Sequence, residues 1–197
     1  MMKKLLAATM LTACAMPALA ADDSGVYLVG TIGSVTKITD VETTSSATGM
    51  IGYRFSRFFA IEGGMGALAS DAKYAVLPAP VTVAGTTYQF TKTTLAGSEF
   101  AAVFGLPLSK NFSLYLKGGF TNLEREYSPS PNEYEDAWSG SLVGVGAQYM
   151  LPFSIKAGGG KIKIGFRLGA NRYNLKNSTG TSTMNPVNAY AGGVIAF

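Results

Sequence analysis

The last ten residues of the chain, NAYAGGVIAF, alternate between two faces with a period of two. One face is apolar and consists of Ala189, Ala191, Gly193, Ile195 and Phe197. This alternation predicts a β-strand. An apolar strand with an unpaired edge would aggregate in water, so we expect both of its edges to be paired. Pairing of the last strand with the first closes a sheet into a barrel, and a barrel has no edge.

Seven earlier segments show the same alternation, so the sequence predicts an all-β chain of eight strands. They cover residues 25–36, 47–55, 59–70, 90–105, 112–125, 138–151 and 161–173. Strands of about nine to fourteen residues can cross a bilayer at a tilt of about 45°. With 24 glycines, 11% aromatic and only 14% charged residues, the composition favours amphipathic strands over a soluble domain.

The connections between these segments alternate in length. Polar connections follow the first, third, fifth and seventh strands, and the longest of them, 71–88, has room for a short strand around 81–83. Tight turns follow the second and fourth strands, and a glycine-rich turn of intermediate length, 152–160, follows the sixth. Short turns face the periplasm in outer-membrane barrels, so we expect 71–88, 127–136 and 174–185 to face outside the cell.

Charged residues within the strands fall on the face opposite the apolar one: Arg54, Glu62, Glu99, Lys117 and Arg167. A soluble barrel would hold this face outside, whereas a membrane barrel holds it inside. Aromatic residues end the apolar faces near the short turns, as at a membrane interface. The other face is mostly small and polar, which suits a narrow interior. We therefore predict a closed, eight-stranded antiparallel up-and-down transmembrane β-barrel.

Charges in so narrow a lumen should be paired, because an isolated buried charge is costly. Glu99 and Lys117 are equidistant from a turn centre at Leu108, which predicts that they lie directly opposite each other and form an ion pair. Arg54 and Glu62 lie on one face of the preceding hairpin, within diagonal reach. Arg167 is expected to reach Glu62 or Glu99 across the lumen.

The residue types present exclude several kinds of chemistry. The chain has no histidine, and Cys14 is its only cysteine. If the chain is cleaved after Ala20, neither an imidazole nor a thiol remains, which excludes zinc-type sites and His- or Cys-based catalysis. Cleavage also lowers the formal charge from +4 to +2, because Lys3 and Lys4 are lost, so nucleic acid is not an expected partner.

The same composition argues against enzymatic activity. Glu62 and Glu99 could form an acid–base couple, but a lumen plug has the same composition, and a substrate could hardly enter. The glycine-rich stretches lack the helix and lysine of a phosphate-binding loop. We therefore expect neither a catalytic site, nor a metal, nor a cofactor.

The first residues predict export. Lys3 and Lys4 precede a short apolar run and the small-residue cleavage site Ala18-Leu19-Ala20, which is typical of a secretory signal peptide. We expect a signal peptide at 1–20 and a barrel domain at 21–197. An alternative is lipoprotein processing, because Leu11-Thr12-Ala13-Cys14 fits a lipobox and would leave Cys14 as a lipidated N-terminus.

Taken together, these features resemble the small eight-stranded outer-membrane β-barrel family. This family includes the transmembrane domain of outer membrane protein A, outer membrane protein X and the opacity-type surface antigens. The resemblance rests on the signal peptide, the eight strands, the GYRFSRFFAIEGGMG hairpin at 52–66, the internal charges and the terminal Phe197. The spacing of Tyr190, Gly192, Ile195 and Phe197 is similar to the C-terminal signal that the outer-membrane assembly machinery recognises in such barrels.

The resemblance implies a monomeric outer-membrane protein of structural or surface-interaction type. Its expected partners are outer-membrane lipid, the assembly machinery and a possible surface ligand of the loops. Tyr127, Tyr134 and Trp138 in the acidic, aromatic connection are candidates for that surface contact, because Tyr and Trp are favoured at binding hot spots. Two alternatives remain, a small pore and a lipocalin-like carrier of a small ligand.

Overall fold

A computed structural model describes residues 24–38, 41–75, 78, 80–83, 86–128, 135–157 and 160–197. These residues form eight long strands and three short ones. In chain order the strands are β1 (Gly25–Thr36), β2 (Thr44–Ser56), β3 (Phe59–Lys73), β4 (Val81–Val83), β5 (Thr86–Tyr88), β6 (Lys92–Pro107), β7 (Phe112–Ser128), β8 (Glu135–Ala157), β9 (Gly160–Asn177), β10 (Thr183–Met184) and β11 (Val187–Ala196).

The long strands form a closed antiparallel ring in the order β1-β2-β3-β6-β7-β8-β9-β11. β11 returns to β1 with a continuous register from Tyr27↔Ala196 to Thr36↔Val187. The prediction that the last strand pairs with the first is therefore confirmed, and so is the closed eight-stranded fold. Within the described ranges, no helix is long and apolar enough to cross a bilayer.

An apolar band surrounds the outside of the ring at the end that carries the short turns, here the short-turn end. On β7 it runs from Phe112 to Phe120, and Leu116 between them is 60% exposed. Near the turns, four outward aromatic rings form a row of contacts, with centroids 4.9 to 5.6 Å apart: Tyr53, Phe55, Phe59 and Phe104. The faces are therefore assigned as the sequence predicted, because the period of two fixes every side chain once one face is fixed.

Several strands continue well beyond the apolar band toward the other end, which carries the long connections. Past Phe120 the outward side chains of β7 are polar, and those of Asn122, Glu124 and Glu126 are exposed. β7 reaches Ser128 and β8 begins at Glu135, so the ends of the predicted 127–136 loop are strand. We call this part of the barrel the extension. The predicted short strand around 81–83 is confirmed as β4, which pairs with β5.

The predicted turn at 152–160 is wrong, because β8 continues through Ala157 and β9 begins at Gly160. The ladder between these strands is irregular here, with Met150 paired to Gly165 and the next pair at Ser154 and Lys163. Between these two pairs β8 has more residues than β9, including Pro152, and the ladder is interrupted there. Proline is tolerated at such an irregularity because its missing N–H is not needed there.

Candidate functional site

The lumen is filled at two levels and open at a third. A charged cluster around Glu62 lies within the apolar band, and an apolar core lies above it in the extension. The core contains buried Leu95, Leu123, Leu142 and Leu175. Below the cluster, at the short-turn end, is a cavity of about 780 Å³, which we call the vestibule.

Glu62 on β3 is the centre of the charged cluster and is only 1% exposed. One of its carboxylate oxygens accepts a hydrogen bond from the hydroxyl of Tyr27 at 2.8 Å and forms an ion pair with Arg167. The other oxygen lies 3.3 Å from Nζ of Lys117. Two cations and a hydroxyl thus surround one buried carboxylate, which offsets the cost of removing these charges from water.

Arg167 on β9 is held by neutral groups as well as by Glu62. Its Nη2 donates to Oε1 of Gln148 at 2.9 Å, and its Cζ lies 4.8 Å from the ring centroid of Tyr115. Stacking on an aromatic face and a planar fork of donors suit arginine better than lysine. Arg167 was predicted to contact Glu62 or Glu99 across the lumen, and its ion-pair partner is Glu62.

Lys117 on β7 also forms an ion pair with Glu99 on β6, and Glu99 in turn accepts from the hydroxyl of Tyr173 at 3.1 Å. The predicted register is nevertheless wrong, because Glu99 pairs with Thr121, and Lys117 pairs with Val103. The turn lies further along the chain than Leu108, since Pro107 pairs with Ser113. The two side chains meet by leaning along the lumen, and not by facing each other across the hairpin.

Arg54 keeps the predicted diagonal position relative to Glu62, because Arg54 pairs with Ala60 and Gly52 pairs with Glu62. It lies on β2 at the vestibule, and its Cζ is 5.3 Å from the ring centroid of Tyr27. Arg167 and Lys117 form ion pairs with Glu62, one with each carboxylate oxygen. Glu62 thus receives cations from β7 and β9, strands further around the ring than the hairpin that carries Arg54.

Two glycines make room for the tyrosines that line the cluster. Gly52 lies directly opposite Tyr27, and a Cβ on it would come within 2.3 Å of the tyrosine ring. Gly146 lies opposite Tyr115, and a Cβ there would come within 2.3 Å of the tyrosine hydroxyl oxygen. These positions require glycine because a ring covers the backbone.

Among the described residues a third buried cation, Arg125, lies in the extension and was missed from the sequence. Its Nη2 donates to the hydroxyl of Tyr74 at 3.2 Å, and its Nε donates to Thr93 Oγ1 at 3.2 Å. It also stacks on the ring of Tyr127, with Cζ 5.2 Å from the centroid. The sequence indicated an inward Arg125, because Arg125 lies an even number of residues from Lys117 and therefore on the same face of the strand. It was missed because the strand was predicted to end at Arg125.

The predicted surface-contact residues divide into three cases. Trp138 is only 5% exposed and packs in the apolar core, so the prediction that it lies at the surface is wrong. The reason is parity, since Trp138 pairs with inward-pointing Leu123. Tyr127 is half-buried, and its hydroxyl donates to Asp136 at 3.2 Å. Burial raises the pKa of Tyr127, which lies well beyond the apolar band, to about 12. Tyr134 lies outside the described residues.

The residues of the predicted assembly signal lie on or beside β11, the strand that closes the ring. Tyr190 points inward, and its hydroxyl is 2.8 Å from that of Tyr115. A Cβ on Gly192 would come within 2.0 Å of the carbonyl oxygen of Gly30. Ile195 points outward and is 41% exposed, and the backbone N–H of Phe197 donates to the carbonyl of Val26 at 3.0 Å.

The charged cluster is enclosed within the barrel. In the described part of the chain, no group of His, Cys, Asp or Glu is arranged to hold a metal ion. The carboxylate of Glu62 is enclosed by the groups that bind it, so a substrate has no path to it. A closed ring with an apolar band outside and paired charges inside is the architecture of an outer-membrane β-barrel.

Comparison with known proteins agrees. The chain belongs to the family described as the outer membrane protein beta-barrel domain, whose family model matches residues 6–195. It is therefore an integral protein of the bacterial outer membrane, surrounded by lipid. A search of curated protein sequences finds no match.

Solved structures with a similar fold include three small barrels. Neisserial surface protein A is 12% identical with a TM-score of 0.56, and the alignment covers 89% of this chain and 99% of that one. The N-terminal barrel of OprF from Pseudomonas aeruginosa is 10% identical with a TM-score of 0.58, over 89% and 100%. The attachment invasion locus protein Ail of Yersinia pestis is 11% identical with a TM-score of 0.50, over 89% and 99%. Identities this low show similarity of fold.

Proposed function

We propose that this protein is a non-enzymatic outer-membrane barrel of structural or surface-interaction type, with a closed lumen and its contact surface on the extension. The observation that carries the proposal is the double closure of the lumen, by the Glu62 cluster and by the apolar core above it. A barrel that is plugged by paired charges and then by packed leucines has no continuous water path along its axis.

The polar outside of the extension supports an interaction role. The outer face of the extension exposes charged side chains at alternating positions, including Glu124, Glu126, Arg172 and Lys176. The outer face of the band below it is apolar. In the orientation we propose, the short turns face the periplasm and the extension stands above the outer leaflet. A rigid, solvated wall of this kind can present the loops to a surface ligand.

The catalytic alternative has no support from the buried carboxylates. Glu62 is held by Arg167, Lys117 and Tyr27, and Glu99 is held by Lys117 and Tyr173. Groups bound in this way stabilise a structure and are not available as a general acid or base. A lipocalin-like carrier would need an apolar lumen and a polar outside along its whole length, which is the reverse of the arrangement in the apolar band.

The processing and assembly steps belong to the same proposal. We expect cleavage after Ala20, with 21–197 as the barrel domain, and recognition of Tyr190, Gly192, Ile195 and Phe197 by the assembly machinery. We also expect a monomer, because the ring leaves no strand edge for a partner. N-terminal sequencing of the mature protein distinguishes cleavage after Ala20 from lipidation at Cys14.

Conductance in planar bilayers tests the closed lumen. The refolded chain is expected to give no steady single-channel current, and a variant with Glu62→Ala and Lys117→Ala is the matched comparison for a weakened plug. Stable openings of the unaltered chain at all voltages would favour the small-pore alternative. Protease added to intact cells tests the orientation, since cleavage near Leu108 would place the short turns outside.

A further inference from the structure

The proposed function of a closed barrel does not account for the vestibule. Its charged lining side chains, among the described residues, are all basic: Arg54, Arg57, Lys110, Lys163 and Arg167. The ion pair with Glu62 compensates the charge of Arg167. Arg57, Lys110 and Lys163 are exposed at the rim, and the guanidinium of Arg57 lies 5.2 Å from the ring centroid of Phe58. Several cationic residues thus border one space.

The neighbouring β8–β9 hairpin adds to this positive charge. Lys156 and Lys161 are a directly opposed cross-strand pair, and both are exposed. Like charges directly opposite each other destabilise a hairpin, and no described acidic side chain lines the vestibule. The exposed acids of the described residues, such as Glu42, Asp71 and Glu124, lie at the opposite end of the barrel. Among the described residues, the charged side chains at the short-turn end therefore favour a positive potential that attracts anions.

The shape and donors of the vestibule fit an anion with more than one charge. A volume of about 780 Å³ is within the range of small-ligand sites. Guanidinium and ammonium groups bind phosphate oxygens through charge-assisted hydrogen bonds. Ser113 and Asn111 also line the cavity and can donate neutral hydrogen bonds. Since three cationic residues border the rim, a phosphate group suits the site better than a single carboxylate.

The wall of the vestibule is interrupted at the irregularity of β8. Leu151, Pro152 and Phe153 line the cavity where the β8–β9 ladder lapses between Met150 and Ser154. Phe153 is 56% exposed. A phosphate group could therefore come from a soluble compound through the open end or from a lipid headgroup at the wall.

We propose that the vestibule is a binding site for a phosphate-bearing anion. The site is built from Arg57, Lys110 and Lys163, with Arg54 behind them. It is separated from the extension by the Glu62 cluster, and it does not depend on what the loops contact. Only the lipid source depends on the orientation proposed above.

Two measurements on the full refolded chain distinguish the sources. In phosphatidylcholine nanodiscs, sodium pyrophosphate is titrated in a calorimeter. In parallel, nanodiscs that contain phosphatidylglycerol are analysed by native mass spectrometry for lipid retained after detergent exchange. Each is repeated with the vestibule variant Arg57→Gln, Lys110→Gln, Lys163→Gln. The matched control is Lys92→Gln, Arg172→Gln, Lys176→Gln, which removes the same charge from the outer face of the extension.

The vestibule variant is expected to bind about tenfold more weakly or worse, because each nearby cation contributes separately, while the control stays within about twofold. Saturable pyrophosphate binding supports a soluble ligand, and selective retention of phosphatidylglycerol supports a lipid headgroup. Saturable binding of neither probe, or an equal loss in both variants, overturns the proposal. Should the triple variant fail to fold, Lys110→Gln in the exposed turn is measured alone, and an unchanged affinity overturns the proposal equally.

Discussion

The two halves of β7 show opposite arrangements of the same alternating pattern. Between Phe112 and Phe120 the outward side chains are apolar, and the inward Lys117 is charged. Between Asn122 and Glu126 the outward side chains are polar, and the inward Leu123 is buried in an apolar core, with Arg125 buried beyond it. One strand thus obeys the rule of a membrane protein in its first half and that of a soluble protein in its second.

Along β7 the surroundings change from lipid to water, whereas the alternation of inward and outward side chains continues unchanged. In lipid the outer face needs no polar group, and the interior can hold paired charges. In water the outer face must be polar, and the interior must supply the apolar burial that stabilises the barrel. We therefore expect the boundary of the bilayer to lie between Phe120 and Asn122 along this strand.

Removal of a buried charge from the membrane half is expected to have the largest effect. Glu62→Gln leaves Arg167 without its carboxylate in a buried site, which should lower the free energy of unfolding by about 3–5 kcal/mol. Urea titration in lipid vesicles measures the change. Glu124→Gln, on the outside of the extension, is the control and should change it by less than about 0.5 kcal/mol. Equal effects would mean that the Glu62 cluster is hydrated.

Truncation of a side chain in the core of the extension should lower the free energy of unfolding by a comparable amount, but for a different physical reason. Leu175→Ala removes a fully buried side chain and should cost about 2–5 kcal/mol by leaving a cavity. Its neighbour Asn174 points outward on the same strand, so Asn174→Ala should be nearly neutral. The same urea titration compares them. A neutral Leu175→Ala would show that the extension is not packed as a core.

A charge placed on the outer face distinguishes lipid from water directly. Leu116→Arg, in the middle of the apolar band, should cost about 2–4 kcal/mol in lipid vesicles. Asn122→Arg, on the same face of β7, should cost less than about 0.5 kcal/mol because it lies in water. If both substitutions cost the same, the boundary between the halves is misplaced.

The smallest expected effect is the coupling within the charged cluster. A double-mutant cycle with Glu99→Gln and Lys117→Met should give an interaction free energy of about 0.5–3 kcal/mol. The distant pair Glu99→Gln and Glu124→Gln serves as control and should be additive within about 0.3–0.5 kcal/mol. Additivity in the first cycle would mean that Lys117 relies on Glu62 alone.

The sequence was sufficient for the fold because the period of two is a local property. It predicted the closure through β11 and the inward position of Glu62, Lys117 and Arg167. Ion-pair partners depend on register, and register depends on the turn. The hydroxyl oxygen of Ser109 accepts from the N–H groups of Asn111 and Phe112, which moves the turn beyond Leu108.

Strand ends were harder to predict for a different reason. Pro152 is typical of a turn, yet here it occupies a lapse in a ladder that continues to Ala157. Trp138 is typical of a membrane interface or a contact surface, yet its parity places it in the core of the extension. The first mistake arises because a ladder irregularity tolerates proline, and the second because the sequence does not state where lipid ends and a water-surrounded barrel continues.

Accessibility of spin labels along the outer face of β7 tests the two-halved barrel most directly. In a Cys14→Ser background, which removes the only cysteine, single labels are placed at Leu114, Leu116, Phe120, Asn122, Glu124 and Glu126 in lipid vesicles. Collisions with oxygen report lipid, and collisions with a water-soluble nickel complex report water. Labels through Phe120 should favour oxygen, and labels from Asn122 onward should favour nickel. Oxygen preference that continues to Glu126, or nickel preference at Leu116, would contradict a barrel whose strands change from lipid to water between Phe120 and Asn122.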